Sequence, residues 1–208
     1  MPLNTHSRKS NLTHAATQHW DLIVIGGGIT GAGIALEAVA RGLSVVLVEQ
    51  YDFASGTSSK STKLIHGGLR YLKQLEFGLV RTVGRERAVL HHLAPHLVTP
   101  VDMVLPIVEG GSLGKLSTAV ALWIYDFLAG VKPEERFEML TAQQAVQQEP
   151  LLRTHNLKGA AVYKEYRTDD ARLTMSVLKS AVDLGAQCFN YAQAIQFIED
   201  GGRITGVT

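Results

Sequence analysis

Three glycines and one carboxylate carry the clearest chemical signal in this sequence. Gly26, Gly28 and Gly31 stand at G-x-G-x-x-G spacing directly after an apolar run, and Glu49 follows 18 positions after Gly31. Glycines in this pattern form a tight turn, let a pyrophosphate approach the backbone and allow a helix to pack closely on a strand. A carboxylate roughly 20 residues further on accepts hydrogen bonds from ribose hydroxyls. The spacing therefore predicts a site for the nucleotide part of a dinucleotide.

A strand, a helix and a second strand are expected to position these residues. The run from Asp21 to Ile25 predicts a buried parallel strand, Ile29 to Arg41 predicts a helix that stops at Gly42, and Ser44 to Val48 predicts the second strand. This βαβ unit places a pyrophosphate at the helix N-terminus, where unpaired N–H groups and the helix dipole favour negative charge. The glycine pattern does not distinguish NAD from FAD, because both present an ADP half to the same turn.

Composition limits the classes of protein that the chain can represent. With 208 residues, 46% hydrophobic content and a formal net charge of +1, the sequence predicts one or two globular domains and gives no electrostatic argument for binding nucleic acid. Cys188 is the single cysteine, so no intrachain disulfide is expected, and we interpret it as a small buried hydrophobe in a reducing compartment. No Cys/His metal-ligand spacing is found, and no metal site is predicted.

A second group of polar residues follows Glu49. Residues 51–63, YDFASGTSSKSTK, predict a loop, and residues 64–72, LIHGGLRYL, place His66 and Arg70 beside paired glycines. Hydroxyls and backbone N–H groups in such a segment can bind phosphate oxygens or the polar edge of a ring system. Arg70 can bind a carboxylate or a phosphate in bidentate fashion.

These two segments carry a specific resemblance. The runs GGGITGAGIALEAVARGLSVVLVE (26–49) and TSSKSTKLIHGGLRYL (57–72) resemble the FAD-dependent glycerol-3-phosphate dehydrogenases, which are respiratory flavoproteins of the D-amino-acid-oxidase-like class. The resemblance extends over about 21–208. It implies an α/β fold in which a Rossmann-like FAD-binding domain carries an inserted α+β cap segment. Members of the family are several hundred residues long, so we interpret this chain as a truncated first part.

The resemblance also implies site residues. Gly26, Gly28 and Gly31 would hold the pyrophosphate of FAD and Glu49 its ribose. The residues expected on the flavin side are Thr57, Ser58, Ser61, Lys63, Leu64 and His66. His66 is also a candidate general base, because a histidine pKa lies near operating pH, but a hydrogen bond to the cofactor is the favoured role. Arg70 and Tyr71 are the expected substrate contacts, with a structural salt bridge as the alternative for Arg70.

The implied reaction is oxidation of sn-glycerol 3-phosphate to dihydroxyacetone phosphate, with electrons passed to a quinone. The implied location is the cytoplasm, with the enzyme peripheral on the inner face of the membrane. Several alternatives stay open: a glycerol-3-phosphate oxidase, another flavoenzyme of the same class, an NAD-dependent dehydrogenase, and a non-catalytic nucleotide-binding fragment. A homodimer also stays open.

The predicted organisation has four parts: a disordered tail at 1–19, the first part of the FAD-binding domain at 20–94, the inserted segment at 95–168, and a return to the FAD-binding domain at 169–208. Within them, Gly78 to His92 predicts a helix whose Arg81, Arg85 and Arg87 form a solvated basic face. Asp169 and Asp170 are interpreted as the cap of a helix rather than as paired catalytic carboxylates.

The most apolar stretch runs from Ser112 to Ala129. It is shorter than the roughly 20 residues of a membrane-spanning helix, and Asp126 interrupts it. The sequence favours a buried helix over an element at the membrane surface, although the resemblance to a quinone-reducing family narrows that preference.

Overall fold

A computed structural model describes residues 6–65, 69–72 and 74–208. The chain forms two compact units. The first unit comprises Met1–Thr62 together with Asp169–Thr208, and the second comprises Lys63–Thr168.

The first unit is built on a parallel sheet of three strands. These are β1 (Leu22–Ile25), β2 (Val45–Val48) and β7 (Gln187–Phe189), in the order β1-β2-β7. β1 and β2 are short and continuously apolar, which is typical of strands that are buried in a parallel sheet. The predicted βαβ unit is therefore present, with strand and helix limits within a residue or two of those expected.

Two helices form the core of the first unit with this sheet. They are α2 (Ile29–Ala40) and α7 (Asp170–Asp183). Ala32 and Ala35 of α2 and Ala181 of α7 are fully buried, beside Leu47 of β2 and Leu178 of α7. Small side chains at the contact let the two helices approach closely. The Asp169 side chain accepts a hydrogen bond from Arg172 N at 3.1 Å, which confirms its predicted role as a helix cap.

The structure has a helix, α1 (Arg8–Thr17), where the sequence predicts a disordered tail. None of the α1 side chains is buried, and the helix has no apolar face, so periodicity does not reveal it. Polar contacts hold it instead. Arg8 Nη1 donates to Asn190 Oδ1 at 3.1 Å, and Trp20 Nε1 donates to Ala15 O at 2.9 Å.

An antiparallel hairpin ends the first unit. Its strands are β8 (Phe197–Asp200) and β9 (Arg203–Val207), paired antiparallel. Gly201 and Gly202 form the turn with positive φ angles of 56° and 77°, which glycine adopts without a steric penalty. Cys188 on β7 is buried and unpaired, and burial raises the pKa of its thiol to about 12, in agreement with its interpretation as a small hydrophobe.

The second unit is organised around one long strand. β6 (Leu157–Thr168) pairs antiparallel with β3 (Leu64–Ile65), β4 (Val98–Val108) and β5 (Glu138–Thr141). β4 continues through both Pro100 and Pro106. Among the described residues β4 pairs with β6 alone, so neither proline needs to donate to a second neighbouring strand.

The helices of the second unit are α3 (Leu69–Leu72), α4 (Phe77–Leu93), α5 (Lys115–Ala129) and α6 (Ala142–Gln148). α4 and α5 pack closely where Gly84 meets Ala129. A Cβ at Gly84 would lie 2.6 Å from the Ala129 Cβ, so the contact requires glycine. Thr141 caps α6 through a capping box with Gln144.

The boundary between the units differs from the predicted one at its first end. The inserted segment is predicted to start at residue 95, but the second unit begins at Lys63 and includes α3 and α4. Helix α4 belongs there because it packs on α5, a contact between segments that are far apart in sequence. The second unit closes at Thr168.

α5 is half buried. Its inner face includes Leu122 and Tyr125, which are 1% and 0% exposed, whereas Trp123 and Phe127 on the opposite face are 64% and 76% exposed. Within residues 6–65, 69–72 and 74–208, no helix combines the length and the apolar character needed to cross a membrane.

Candidate nucleotide-binding site

The turn between β1 and α2 adopts a conformation that depends on glycine. Gly26 has a φ of +112°, outside the range that side-chain-bearing residues normally adopt. Its N–H donates to Val48 O at 2.8 Å, which ties the turn to the end of β2. Gly27 O accepts from Ala54 N at 3.0 Å, which fixes the turn to the loop that follows β2. The backbone of the turn is therefore held from two sides.

Gly31 and Gly28 differ in what a side chain at each position would meet. A Cβ at Gly31 would collide with the carbonyl oxygen of Gly26, so close packing of helix on strand excludes any side chain there. A Cβ at Gly28 would make only an ordinary contact, 3.6 Å from Ser58 Oγ. Protein packing therefore does not require glycine at position 28. The absence of a side chain at Gly28 leaves the space in front of the helix N-terminus open.

The N-terminus of α2 is suited to an anion. Gly28 is the N-cap and provides no side chain to the first turn, and that turn contains no acidic residue. Ser58, in the 3-10 turn Thr57–Ser59, is 8% exposed, and its Oγ accepts a hydrogen bond from Ile29 N at 3.2 Å. A hydroxyl can both accept from this N–H and donate to a phosphate oxygen. The dipole and free N–H groups of a helix N-terminus favour negative charge at this point.

Glu49 lies directly after β2 and faces the glycine turn. Its Oε2 accepts from Gly27 N at 2.7 Å, and its Oε1 accepts from Tyr51 N at 2.8 Å. Each carboxylate oxygen has a second lone-pair site, so both can accept another hydrogen bond. The two backbone contacts orient the carboxylate without consuming its capacity to bind hydroxyl groups.

Gly27 is a site residue that the sequence analysis did not single out. A Cβ at this position would lie 2.6 Å from Phe53 Cδ1 and 3.0 Å from Glu49 Cβ, so a side chain would displace the carboxylate. The run of three consecutive glycines was the available signal. The G-x-G-x-x-G pattern predicts ligand approach at Gly28 and close packing at Gly31, but it predicts nothing for Gly27. In the structure, Gly27 also has no room for a side chain.

The other residues expected on the flavin side divide between the units. Thr57 is exposed, in the same turn as Ser58, and the Ser61 hydroxyl donates a hydrogen bond to Asp170 Oδ2. Lys63 and Leu64 belong to the second unit. Lys63 has a φ of +63° and its carbonyl accepts from Thr168 N at 3.0 Å, while Leu64 pairs with Arg167. Within the first unit, the structure thus brings Ser58 to the glycine turn.

The candidate catalytic and substrate residues are only partly described. His66 lies outside the described residues. The backbone of Arg70 is part of α3, and its side chain lies outside what the structure describes. Tyr71 packs against a cluster in the second unit that includes Leu72 and Tyr125.

A buried ionic network in the second unit was not predicted. Arg87 Nη1 lies 2.9 Å from Glu165 Oε2, with both side chains 3% exposed, and also donates to Tyr125 Oη at 3.0 Å. The Arg87 guanidinium carbon is 4.9 Å from the centre of the Tyr166 ring. The prediction of a solvated face is therefore wrong for Arg87, although Arg81 and Arg85 are exposed. One signal was available, since Arg87 is offset by about one helical turn from Val83 and Leu90.

No cluster of three or more His, Cys, Asp or Glu side chains among the described residues could hold a metal ion. The described site offers backbone N–H groups, hydroxyls and one carboxylate. This donor set fits the pyrophosphate and ribose of a dinucleotide.

The parallel sheet, the glycine turn at the N-terminus of α2 and the carboxylate at the end of β2 define a dinucleotide-binding protein of the Rossmann type. A family model described as FAD dependent oxidoreductase matches residues 21–208. The chain belongs to this family, and FAD is the family's cofactor.

Named relatives agree with this assignment. The chain is 50% identical over its full length to an aerobic glycerol-3-phosphate dehydrogenase of Staphylococcus saprophyticus, and covers 37% of that protein. It is 52% identical over 200 residues to an aerobic glycerol-3-phosphate dehydrogenase of Bacillus subtilis, which is 96% of this chain and 36% of the relative. The chain thus spans little more than a third of the length of these relatives.

Solved structures show the same fold. A glycerol-3-phosphate dehydrogenase of Bacillus halodurans, complexed with FAD, is 42% identical with a TM-score of 0.74 over 97% of this chain and 32% of that protein. An L-proline dehydrogenase of P. horikoshii has a TM-score of 0.70 at 18% identity, over 91% of this chain and 49% of its own, which is a likeness of fold alone.

Proposed function

We propose that the whole protein containing this chain oxidises sn-glycerol 3-phosphate to dihydroxyacetone phosphate with FAD as cofactor, and passes the electrons to a quinone. The observation that carries the proposal is the cradle formed by Gly28, Ser58 and Glu49 at the N-terminus of α2. It occurs in a chain half of whose residues are identical to those of aerobic glycerol-3-phosphate dehydrogenases. When bound, FAD supplies the hydride chemistry that amino-acid side chains lack.

The nucleotide half of the cofactor is assigned to the first unit. The backbone at Gly28 and the first turn of α2 would hold the pyrophosphate, with the Ser58 hydroxyl as a further donor. Glu49 would accept hydrogen bonds from ribose hydroxyls, since its orientation is fixed by Gly27 and Tyr51. Gly26 and Gly31 act through the conformation and packing of the turn rather than through contact.

The flavin half is assigned to the segment after the cradle. Thr57, Ser61, Lys63, Leu64 and His66 are proposed as its contacts, on the resemblance of residues 57–72 to the family. For Ser61, the hydrogen bond to Asp170 supports a role in holding this loop against α7. His66 is proposed as a hydrogen-bond partner of the cofactor, with proton abstraction from the substrate as its second possible role.

Arg70 and Tyr71 are proposed as substrate contacts. A guanidinium remains charged at every physiological pH and matches a phosphate with two parallel hydrogen bonds, which suits a phosphorylated triol. Because Arg70 and Tyr71 are neighbours in α3, both would approach the substrate from one short helix.

With a quinone as its acceptor, the enzyme would lie at the inner face of the membrane as a peripheral protein. The exposed face of α5 supports this location, because Leu116, Val120, Trp123 and Phe127 follow one another at helical spacing and are 50–80% exposed. The rings of Trp123 and Phe127 stack with centroids 6.2 Å apart. Aromatic and aliphatic side chains on one face of a helix, without a charge among them, are typical of helices that lie at a membrane interface.

A homodimer is a further hypothesis, which light scattering of the whole protein would test.

The proposal is tested with the full-length protein. Its visible spectrum should contain the flavin band, and anaerobic addition of glycerol 3-phosphate should bleach that band. Glycerol serves as the matched control, since it lacks the phosphate that Arg70 would bind. A flavin band that glycerol 3-phosphate leaves unchanged would rule out the proposed substrate, and absence of the band would rule out the proposed cofactor.

A further inference from the structure

Helix α1 makes contacts that the proposed roles do not use. A helix of ten residues without a buried side chain is marginal in water on its own, so its place in the first unit depends on specific polar contacts. The Arg8 guanidinium supplies two of them, since Nη1 donates to Asn190 Oδ1 at 3.1 Å and Nη2 donates to Asn190 O. Arg8 thus holds both the side chain and the backbone of a single residue.

Asn190 lies directly after β7, at the same edge of the parallel sheet as Glu49, which follows β2. Asn190 Nδ2 donates to Asp52 Oδ1 at 2.9 Å, and the same oxygen accepts from Phe53 N at 2.9 Å. Asp52 and Phe53 belong to the loop that follows Glu49. Asn190 therefore joins α1 to the loop that begins at the ribose carboxylate.

The segment 189–192 holds the backbone of Glu49 from both sides. Glu49 N donates to Phe189 O at 2.8 Å, and Ala192 N donates to Glu49 O at 2.8 Å. A shift of this segment would move the main chain that carries the carboxylate. Asn190 lies inside the segment, so the contacts that fix Asn190 also fix the position of Glu49.

Tyr191 shows that this segment is held in a conformation it would not adopt freely. Its φ is +47°, in the left-handed region, where a residue with a side chain persists only if the surrounding contacts hold it. Tyr191 N donates to Tyr51 O at 2.8 Å, and Tyr51 N donates to Glu49 Oε1 at 2.8 Å. Loss of the Arg8 contacts to the preceding residue is therefore expected to let the segment relax.

We propose that Arg8 is a positioning residue of the nucleotide site, which acts through Asn190 to keep Glu49 in place for the ribose hydroxyls of FAD. This inference rests on the proposed function, because it takes the ribose of the cofactor to bind at Glu49. An acceptor that is already fixed loses less conformational entropy when the ligand binds, so the affinity is higher. By thermodynamic linkage, bound FAD stabilises the docking of α1 by the same factor.

The first test is the FAD dissociation constant of the full-length apoprotein, measured by quenching of flavin fluorescence. Arg8→Ala removes both hydrogen bonds to Asn190 and should raise the constant about threefold to tenfold. Lys9→Ala, at the next position of α1, removes the same charge from an exposed side chain and should change the constant less than about twofold. Equal effects of the two variants, whether large or small, would overturn the proposal.

A double-mutant cycle distinguishes positioning from a general loss of stability. Glu49→Gln removes the carboxylate through which Arg8 is proposed to act, so adding Arg8→Ala to Glu49→Gln should raise the constant less than about twofold further. Structural damage that is independent of Glu49 would instead multiply the effects of the two single variants. Multiplied effects would therefore overturn the proposal.

Hydrogen exchange of the α1 amides provides a test that needs no variant. In the unchanged full-length protein, FAD should slow the exchange of these amides about threefold to tenfold, because the docked helix is stabilised by the bound cofactor. Exchange rates in α1 that are the same with and without FAD would overturn the proposal.

The same measurements separate this inference from the proposed function. If Glu49→Gln binds FAD as tightly as the unchanged protein, the proposed nucleotide site is rejected together with the role of Arg8. If Glu49→Gln weakens binding and Arg8→Ala does not, only the role of Arg8 is rejected.

Discussion

The Gly27 N–H group donates a hydrogen bond to Glu49 Oε2 at 2.7 Å, so the glycine turn and the carboxylate that follows β2 form one unit. The turn sets the position of the carboxylate, and the carboxylate in turn holds the backbone of the turn. A change at either residue is therefore expected to alter nucleotide binding through the other.

Glu49→Gln should weaken FAD binding by roughly tenfold to a hundredfold. The amide replaces one acceptor oxygen by an NH₂ donor, which would face either Gly27 N–H or Tyr51 N–H, and it also removes the charge that strengthens hydrogen bonds to ribose hydroxyls. The measurement is the FAD dissociation constant of the full-length apoprotein. Glu37→Gln, on the exposed side of α2, removes a carboxylate of the same type far from the turn and should leave the constant unchanged. Equal constants for the two variants would contradict the assignment of Glu49.

Gly31→Ala should destabilise the protein by about 1–3 kcal/mol, because the new Cβ meets the Gly26 carbonyl oxygen. Gly33→Ala is the matched control in the same helix. A Cβ at Gly33 meets nothing within 4 Å, so the change should raise the free energy of unfolding by about 0.5–1 kcal/mol through the better helix propensity of alanine. Thermal unfolding of the full-length variants checks that Gly31→Ala lowers the stability of the protein and that Gly33→Ala raises it. A Gly31→Ala protein as stable as Gly33→Ala would show that the packing of α2 on β1 is not as tight as described.

Arg87→Ala should lower the free energy of unfolding by about 3–5 kcal/mol, since it leaves the buried Glu165 carboxylate without its partner. Arg41→Ala removes an arginine from an ion pair with Glu37 whose side chains are 73% and 65% exposed. Its effect should stay below about 1 kcal/mol. Chemical denaturation measures the free energy of unfolding of both variants. Similar losses of this free energy in the two would mean that the network around Arg87 is not buried in the folded protein.

Asp126→Asn should stabilise the protein at neutral pH. Burial raises the pKa of Asp126 above its ordinary value of 3.8, while its Oδ2 accepts from Phe137 N at 3.0 Å, a bond that an amide oxygen can keep. An acid whose pKa is raised on folding destabilises the folded state when it is ionised. The advantage of the variant should therefore shrink as the pH falls through the raised pKa, and disappear below 3.8. The free energy of unfolding of the variant and of the unchanged protein, measured as a function of pH, tests this expectation. A stability advantage of Asp126→Asn that grows as the pH falls would contradict it.

The sequence predicts those features that depend on local pattern. The strand, turn and helix around Gly26, Gly28 and Gly31 follow from glycine spacing and apolar periodicity, and the Asp169 cap follows from its position before an amphipathic helix. Both are present in the structure.

Features that depend on distant partners were not predictable from pattern. Arg87 is buried because Glu165 and Tyr125 meet it from β6 and α5, and a helix pattern contains no information on those partners. α1 is held by Arg8 and Trp20 at its two ends, without an apolar face for periodicity to detect. The boundary at Lys63 depends in the same way on the packing of α4 against α5.

The central claim is that the N-terminus of α2 holds the pyrophosphate of FAD, and Gly28→Ala tests it most directly. The backbone at Gly28 is extended and a Cβ would contact only Ser58 Oγ at 3.6 Å, so the folded protein should tolerate alanine with a change in unfolding free energy below about 0.5 kcal/mol. The Cβ would nevertheless occupy the approach of the phosphate. We predict that the FAD dissociation constant of full-length Gly28→Ala rises at least about tenfold, whereas that of Gly33→Ala is unchanged. An unchanged constant in Gly28→Ala would contradict the account.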